Sequence, residues 1–255
     1  MSFALYERHG AVGIVTLNRP DRLNAISDDL LRAFAAALEA GIADDQAAAL
    51  ILAGAGRAFC SGDDLKEFSQ QVSSPEAIRN HIVGIQQITR LMRGCSKPIV
   101  GAVQGYAVGG GFEWLLNCDL VVAADDLVAF FPEMEWGQFV TGGVTHLLPQ
   151  TVGYQRAMEL LVLGERQSAL RLQELNLVNF VVPRCYLETK TMEVANKIAN
   201  KPRFSVGRLK TLLNQGLGDP FWQAVALEEA ATIEAVGQPG VAERIARFTS
   251  GKQSL

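Results

Sequence analysis

Short apolar segments alternate with amphipathic segments along the first two-thirds of the chain. Residues 4–8 and 12–17 alternate in polarity on either side of Gly10, which predicts a β-hairpin. Continuous apolar runs bounded by turn residues are typical of buried strands. Such runs occupy residues 48–53, 97–103, 120–123, 127–130 and 178–182. Strands that alternate with helical segments predict an α/β core.

Two long helices are predicted between the early strands. The first begins at Ser27 or Asp28, has apolar residues at helical spacing and ends at Gly41. The second begins at Pro75, directly after a serine that can cap it, and runs to about Met92. Both are long enough to cover one face of the predicted strands.

The pattern changes after about residue 143. Beyond this point the remaining strand signal is at residues 178–182, and the other segments are helical with breaks at prolines and glycines. We therefore predict an α/β core over residues 1–195 and a helical region over residues 196–255.

Composition and charge narrow the functional classes. The chain has 255 residues, 49% of them hydrophobic, which is enough for one large core. Its net charge of -4 gives no electrostatic support for nucleic-acid binding. No apolar run reaches the roughly 18 residues of a transmembrane helix, and residues 1–7 lack a signal-peptide pattern. We therefore expect no membrane partner. The four cysteines are far apart, which predicts free thiols and a cytoplasmic location, and the three scattered histidines predict no metal site.

A glycine-rich turn, Gly109 to Gly111, lies between a predicted strand and a predicted helix. Backbone N–H groups at a helix start point outward and suit a developing oxyanion. A tight turn without a ligand would use the same residues. The spacing does not match the G-x-G-x-x-G pattern of a dinucleotide site, which makes that alternative remote.

Glu113 and Glu133 are the candidate proton-transfer residues. Glu113 follows the glycine turn and Glu133 follows a Pro at the end of a strand. The alternatives are a helix-dipole partner for Glu113 and a solvated loop charge for Glu133. Aromatic residues flank both, and those that line a pocket would raise a carboxyl pKa by removing it from water. For most of these aromatic residues, packing in the core is the competing interpretation.

Several motifs, in order, match one known family. They are Leu17-Asn18-Arg19-Pro20, Leu23-Asn24-Ala25-Ile26, Gly56 to Glu67, Lys97 to Gly105, Gly109 to Glu113, Cys118-Asp119-Leu120, Phe131-Pro132-Glu133, Lys201-Pro202-Arg203 and Leu209-Lys210. With these motifs the chain resembles the enoyl-CoA hydratase/isomerase (crotonase) superfamily along nearly its whole length. The resemblance implies a spiral of ββα turns and a helical C-terminal region that assembles homotrimers or dimers of trimers.

The resemblance also implies an acyl-CoA thioester as the substrate. The thioester oxygen would be bound by the backbone N–H groups of Asp63 and Gly110. The coenzyme A portion would be bound by Arg22, Leu23, Ser61 and Lys66, and the acyl group by Phe112, Trp136, Phe139 and Thr141. A solvated helix face is the competing interpretation of Lys66. No separate cofactor is expected, because coenzyme A enters as part of the substrate.

Hydratases of this family keep an acid at the positions of Glu113 and Glu133. The resemblance implies that Glu133 is the main proton-transfer residue and Glu113 the water-positioning partner and second base, although an exchange of the two roles stays open. A Δ3-Δ2 enoyl-CoA isomerase, which needs one base, or a decarboxylase is the alternative within the family. A non-catalytic protein that binds CoA esters is a more remote alternative.

The chain departs from the family pattern at two places. Asp63 occupies a position where small residues are usual, so its carboxylate must turn away from the enolate or be neutralised. The loop after Gly137 departs from the family's run at Val140, Thr141, Val144, His146 and Leu147. We expect the added bulk and the lost backbone freedom to change which acyl groups the pocket accepts. This loop lacks the nucleophilic carboxylate of the family's dehalogenase branch.

Overall fold

The computed structural model describes residues 2–71, 74–238, 240, 241, 243, 244 and 246. The strands are β1 (Ala4–His9), β2 (Val12–Leu17), β3 (Ala49–Gly54), β4 (Ile99–Val103), β5 (Tyr106–Val108), β6 (Leu120–Ala124), β7 (Val128–Phe130), β8 (Gln167–Ser168) and β9 (Phe180–Val182). The helices are α1 (Asp28–Ala43), α2 (Leu65–Gln71), α3 (Pro75–Gly94), α4 (Gly110–Asn117), α5 (Glu133–Trp136), α6 (Val144–Val152), α7 (Tyr154–Met158), α8 (Ala169–Glu174), α9 (Leu187–Ala199) and α10 (Arg203–Val236). The predicted strands are confirmed, whereas β5 and β8 are too short to produce a pattern.

The strands form two sheets that the chain visits in turn. The larger sheet has the order β1-β2-β3-β4-β6-β9, in which β1 and β2 are antiparallel and the other neighbours are parallel. The smaller sheet contains β5, β7 and β8. After β3 of the larger sheet, the segment at Cys60 forms a parallel bridge to Ala107 of β5 in the smaller sheet. In the same way, β4 of the larger sheet is followed by β5 of the smaller sheet, and β6 is followed by β7. A helix follows each pair, which confirms the expected ββα spiral.

The central strands are buried on both faces. Leu50 and Leu52 of β3 face the larger core cluster, where the rings of Phe34 and Trp114 meet edge to face with centroids 4.9 Å apart. Ile51 faces a second cluster beneath α9. Because both faces of a parallel sheet are covered, its strands are continuous apolar runs in the sequence.

Helix α1 begins as expected but ends later. The Ser27 Oγ accepts a hydrogen bond from the Leu30 N–H at 3.1 Å and caps the helix. The helix continues past Gly41 to Ala43, so the predicted end is wrong. A Cβ at Gly41 would lie 3.0 Å from the Tyr6 ring. This glycine therefore permits close packing of α1 on β1 and does not end the helix.

The C-terminal region is helical, and α10 packs on α3 and α6. Its backbone bends at Gly218, where φ is 52° and ψ is -154°, just before Pro220. None of the described helices is long and apolar enough to cross a membrane. The division of the chain at residue 195 stays a prediction, and residues 247–255 of the predicted helical region lie outside the described residues.

Candidate functional site

Two loop segments from successive turns of the spiral lie side by side. The Cys60 N–H donates to the Tyr106 carbonyl oxygen at 2.9 Å, and the Val108 N–H donates to the Cys60 carbonyl oxygen at 3.0 Å. Asp63 and Gly110, shortly downstream in the two segments, both line one cavity. The pairing thus brings together the two residues whose backbone N–H groups the family resemblance implied as donors.

The N–H groups of these two residues are available to a ligand. Gly110 is the first residue of α4, so its N–H has no acceptor within the helix. The segment at Asp63 forms a parallel bridge to Ile26. The Ile26 N–H donates to the Gly62 carbonyl oxygen and the Asp64 N–H donates to the Ile26 carbonyl oxygen, both at 2.8 Å. Along an extended strand alternate groups face opposite edges, so the Asp63 N–H points away from this bridge. Both residues line the same cavity, and two backbone donors directed at one oxygen can stabilise an oxyanion.

The turn before α4 requires glycine for two separate reasons. Gly109 has φ of 51°, which disfavours other residues, and a Cβ there would lie 2.6 Å from Glu133 Oε1. A Cβ at Gly111 would lie 2.6 Å from the Cys60 carbonyl oxygen. The first glycine makes room for a carboxyl group, and the other makes room for the neighbouring turn of the spiral.

Glu113 is buried at the cavity, and Thr141 holds both of its carboxylate oxygens. The Thr141 N–H donates to its Oε1 at 2.8 Å, and the Thr141 hydroxyl donates to its Oε2 at 3.1 Å. Burial and the charge of Glu133 raise the pKa of Glu113 well above its usual value, while the bonds from Thr141 oppose this rise. The carboxyl group is therefore fixed in position.

Glu133 lies on the opposite side of the turn and is also buried. Burial, followed by the charge of Asp63, raises the pKa of Glu133 to about 8. Its Oε2 is buried and has no hydrogen-bond partner among the described residues. A buried carboxyl oxygen without a partner, next to a cavity, is available for proton transfer to a bound molecule.

The cavity between these groups is small, about 30 Å³. Among the predicted acyl-pocket residues, Trp136, Phe139 and Thr141 line it. Phe112 does not, since its ring stacks on Phe131 with centroids 4.5 Å apart, inside the main core. Phe112 is next to Glu113 in the sequence, but the two side chains leave α4 in different directions, which the sequence alone does not show.

Further cavity-lining residues escaped the sequence analysis. They are Phe68, His81, Ile82, Ile85, Gln138 and Thr232. The helical spacing of the apolar residues of α3 would have indicated a buried face, but not that this face meets the glycine turn. Thr232 comes from α10, far along the chain, so no local signal identifies it.

The loop after Gly137 supports Glu113 and contributes part of the cavity lining. Val140 and Val144 are buried in the main core, whereas Thr141 lines the cavity, so of these three departures only Thr141 adds bulk there. At Gly142 a Cβ would lie 2.8 Å from Glu113 Oε2. The buried Glu228 accepts the N–H groups of Gly143 and Thr145, at 2.7 Å and 2.8 Å, and anchors the start of α6.

A groove of about 620 Å³ opens beside the cavity. All four residues predicted to bind coenzyme A line it: Arg22, Leu23, Ser61 and Lys66. The Ser61 N–H donates to the Leu23 carbonyl oxygen at 3.1 Å, which joins two of these segments. Arg57 and Arg166 also line the groove and were not predicted. Four cationic side chains around one groove suit an anionic ligand such as a phosphate group.

Within the described part of the chain, no group of three or more His, Cys, Asp or Glu side chains is arranged to hold a metal ion.

Comparison with known proteins places these features in context. The sequence profile of the family "Enoyl-CoA hydratase/isomerase" matches residues 7–249. A probable mitochondrial enoyl-CoA hydratase of Dictyostelium discoideum is 36% identical over 208 residues, which are 82% of this chain and 74% of that protein. A short-chain-enoyl-CoA hydratase of Clostridium acetobutylicum is 31% identical over 228 residues, 89% of this chain and 87% of that protein. The crystal structure of an enoyl-CoA hydratase/isomerase from Mycobacterium paratuberculosis superposes with a TM-score of 0.90 at 28% identity, covering 97% of this chain and 98% of that chain.

Proposed function

The chain belongs to the enoyl-CoA hydratase/isomerase family, and we propose that it adds water across the double bond of a 2-enoyl-CoA thioester. The observation that carries this proposal is that Glu113 and Glu133 line one cavity with Asp63 and Gly110. Hydration needs a group that takes a proton from water and a group that delivers one to carbon, whereas double-bond migration needs one base. Two carboxyl groups beside two backbone donors favour hydration.

The thioester oxygen accepts hydrogen bonds from the Asp63 and Gly110 N–H groups. Glu113, fixed by Thr141, orients a water molecule and takes its proton as the oxygen attacks the β-carbon. The electron pair of the double bond moves into an enolate, whose charge the two donors stabilise. Glu133 delivers a proton to the α-carbon. The product is a 3-hydroxyacyl thioester, and a proton exchange between the two carboxyl groups through the next water restores the starting state.

The size of the cavity fits the first of these steps. A cavity of about 30 Å³ lined by polar groups is large enough to hold a water molecule. The unpartnered Oε2 of Glu133 gives that water, or the reacting carbon, a nearby polar group. The burial of both acids strengthens each interaction, because little bulk water screens them.

The coenzyme A portion of the substrate occupies the adjoining groove, with Arg22, Arg57, Lys66 and Arg166 as candidates for its phosphate groups. Coenzyme A arrives covalently attached to the acyl group, so the reaction uses no separate cofactor. The acyl group lies beside Trp136, which lines both the groove and the cavity.

We also propose that the protein acts in the cytoplasm as a homotrimer or a dimer of trimers, without nucleic-acid or membrane partners. Free thiols at all four cysteines support a reducing compartment. Phe204, Leu213 and Leu227 of α10 are 84%, 66% and 70% exposed in the single chain. Contact with further copies of the chain would remove these apolar side chains from water.

Kinetic comparison of Glu133→Gln with the wild-type protein tests this function. With crotonyl-CoA as substrate, we expect kcat to fall by a factor of about 10² to 10⁴, because the proton-transfer group is lost. Binding of a CoA ester, measured by calorimetry, should change little, since the groove is intact. The matched control is Glu135→Gln, which alters an exposed carboxylate on the same short helix. Full hydration activity in the Glu133→Gln protein would refute the assignment.

Heavy water separates hydration from the alternatives. Crotonyl-CoA should give a 3-hydroxyacyl product that carries deuterium at the α-carbon. An isomerase would instead convert a 3-enoyl-CoA into the conjugated ester and place deuterium at the α- or γ-carbon without adding water. Loss of carbon dioxide from a carboxylated acyl-CoA would identify a decarboxylase. Binding of CoA esters with none of these reactions would indicate a non-catalytic binding protein.

A further inference from the structure

His81 lies between two aspartates at the edge of the cavity. Its Nδ1 is 2.9 Å from Asp28 Oδ1, and its Nε2 is 3.1 Å from Asp63 Oδ1. The ring is only 3% exposed and packs near the Phe68 ring, with centroids 5.9 Å apart. Neither aspartate is a neighbour in the sequence, so the three residues meet only in the folded chain.

The two contacts determine the charge of the ring. An ionised carboxylate only accepts hydrogen bonds, and a neutral imidazole has a single N–H. Two such contacts are therefore both satisfied when each ring nitrogen carries a proton. Burial alone lowers the pKa of His81, but the bonds to Asp28 and Asp63 reverse this and raise its pKa to about 10. His81 is thus a cation at neutral pH.

The charged groups nearest to His81 are carboxylates, which balance the positive charge of its ring. Asp28 at the start of α1 and Asp63 contact it directly, and Glu67 of α2 accepts the Asp28 N–H at 3.1 Å. Glu113 and Glu133 line the same cavity. Without the cation, the carboxylate of Asp63, whose side chain is 25% exposed, would be an unbalanced charge near the thioester oxygen, where negative charge develops. The same charge already raises the pKa of Glu133.

We propose that His81, anchored by Asp28, is a positioning residue of the oxyanion hole that neutralises the Asp63 carboxylate and holds it away from the enolate oxygen. The Asp63 N–H can then act as a donor although its own side chain carries a charge. This inference rests on the proposed function, because it assigns a role beside the enolate intermediate.

A double-mutant cycle tests the role. With Asp63 present, His81→Gln should lower kcat for crotonyl-CoA hydration by at least about tenfold, because the aspartate charge opposes the enolate. Its KM should stay within about twofold, since the groove for coenzyme A is unaltered. In a protein that carries Asp63→Ala, the same His81→Gln change should alter kcat by no more than about twofold. An equal loss in both backgrounds would show that His81 only supports the fold and would overturn the proposal.

The charge of His81 can be measured independently of activity. The chain has three histidines, so nitrogen-15 spectra of the histidine-labelled wild-type protein are simple, and the His81→Gln protein identifies the His81 signals. Both ring nitrogens of His81 should show the imidazolium pattern throughout a titration from pH 6 to pH 9. A neutral tautomer at pH 7 would overturn the proposal even if no variant folds. A wild-type protein that has the imidazolium but no hydratase activity would instead refute the proposed function.

Discussion

Replacing Glu133 with glutamine is expected to stabilise the folded protein increasingly as pH rises. Burial raises the pKa of the Glu133 carboxyl from 4.5 to about 8. In the unfolded chain the group ionises near its ordinary pKa, so the unfolded state loses its proton first. Stability is therefore lost as pH rises from the unfolded pKa to the folded one, and glutamine, which does not ionise, avoids that loss.

The size of the effect follows from the two pKa values. The ionisable group lowers the free energy of unfolding by about 1 kcal/mol at pH 5, about 3 kcal/mol at pH 7 and about 5 kcal/mol above pH 9. The difference in stability between Glu133→Gln and wild type should therefore grow by about 2 to 3 kcal/mol between pH 5 and pH 7. Loss of the Glu133 charge also removes one cause of the raised pKa of Glu113, which changes stability in the same direction.

Urea unfolding of both proteins at several pH values from 5 to 9 measures this difference. A constant offset between the two curves would reflect altered packing and is not part of the prediction. Glu135→Gln, on the exposed face of the same helix, should follow the wild-type curve across the range. If the difference between Glu133→Gln and wild type does not change with pH, Glu133 is not a buried carboxyl with a raised pKa, and the reasoning fails.

Two further substitutions probe the support of the glutamates. Gly109→Ala should lower kcat and cost about 1–2 kcal/mol of stability, because φ is positive there and a Cβ would lie 2.6 Å from Glu133 Oε1. Steady-state kinetics and thermal unfolding measure both effects, with Gly94→Ala as the control, since a Cβ at Gly94 meets nothing within 4 Å. Equal behaviour of the two variants would contradict the prediction. Thr141→Val removes the hydroxyl bond that lowers the pKa of Glu113, so the acidic limb of the kcat profile should move to higher pH, whereas Thr141→Ser should retain the wild-type limb. An unmoved limb in Thr141→Val would exclude Glu113 as the base.

Features encoded within a few residues could be predicted from the sequence. The glycine turn and Glu113 lie in one short segment, and the strand that precedes them is a continuous apolar run. The resemblance to the family supplied the pairing of Asp63 with Gly110, which the parallel bridge between Cys60 and Ala107 explains. The local sequence pattern also predicted the ends of the longer strands to within about two residues.

Features that depend on distant contacts could not be predicted. His81 is 53 positions from Asp28 and 18 from Asp63, so its charge depends on a contact that only the fold creates. Likewise, Phe112 is beside Glu113 in the sequence but stacks in the core, because adjacent helical residues point in different directions. Gly41 has the sequence pattern of a helix end, but its role is close packing against Tyr6, a contact that only the fold creates.

The bridge between Cys60 and Ala107 also affects how the enzyme acquires activity during folding. The two proposed oxyanion donors belong to different turns of the spiral, so neither turn alone would contain a complete oxyanion hole. Closing the long chain segment between them costs entropy that is recovered only when the two turns dock. Parallel strands joined over such distances form late, since contacts of high sequence separation slow folding. We therefore expect a refolding chain to regain turnover only when this long-range contact has formed.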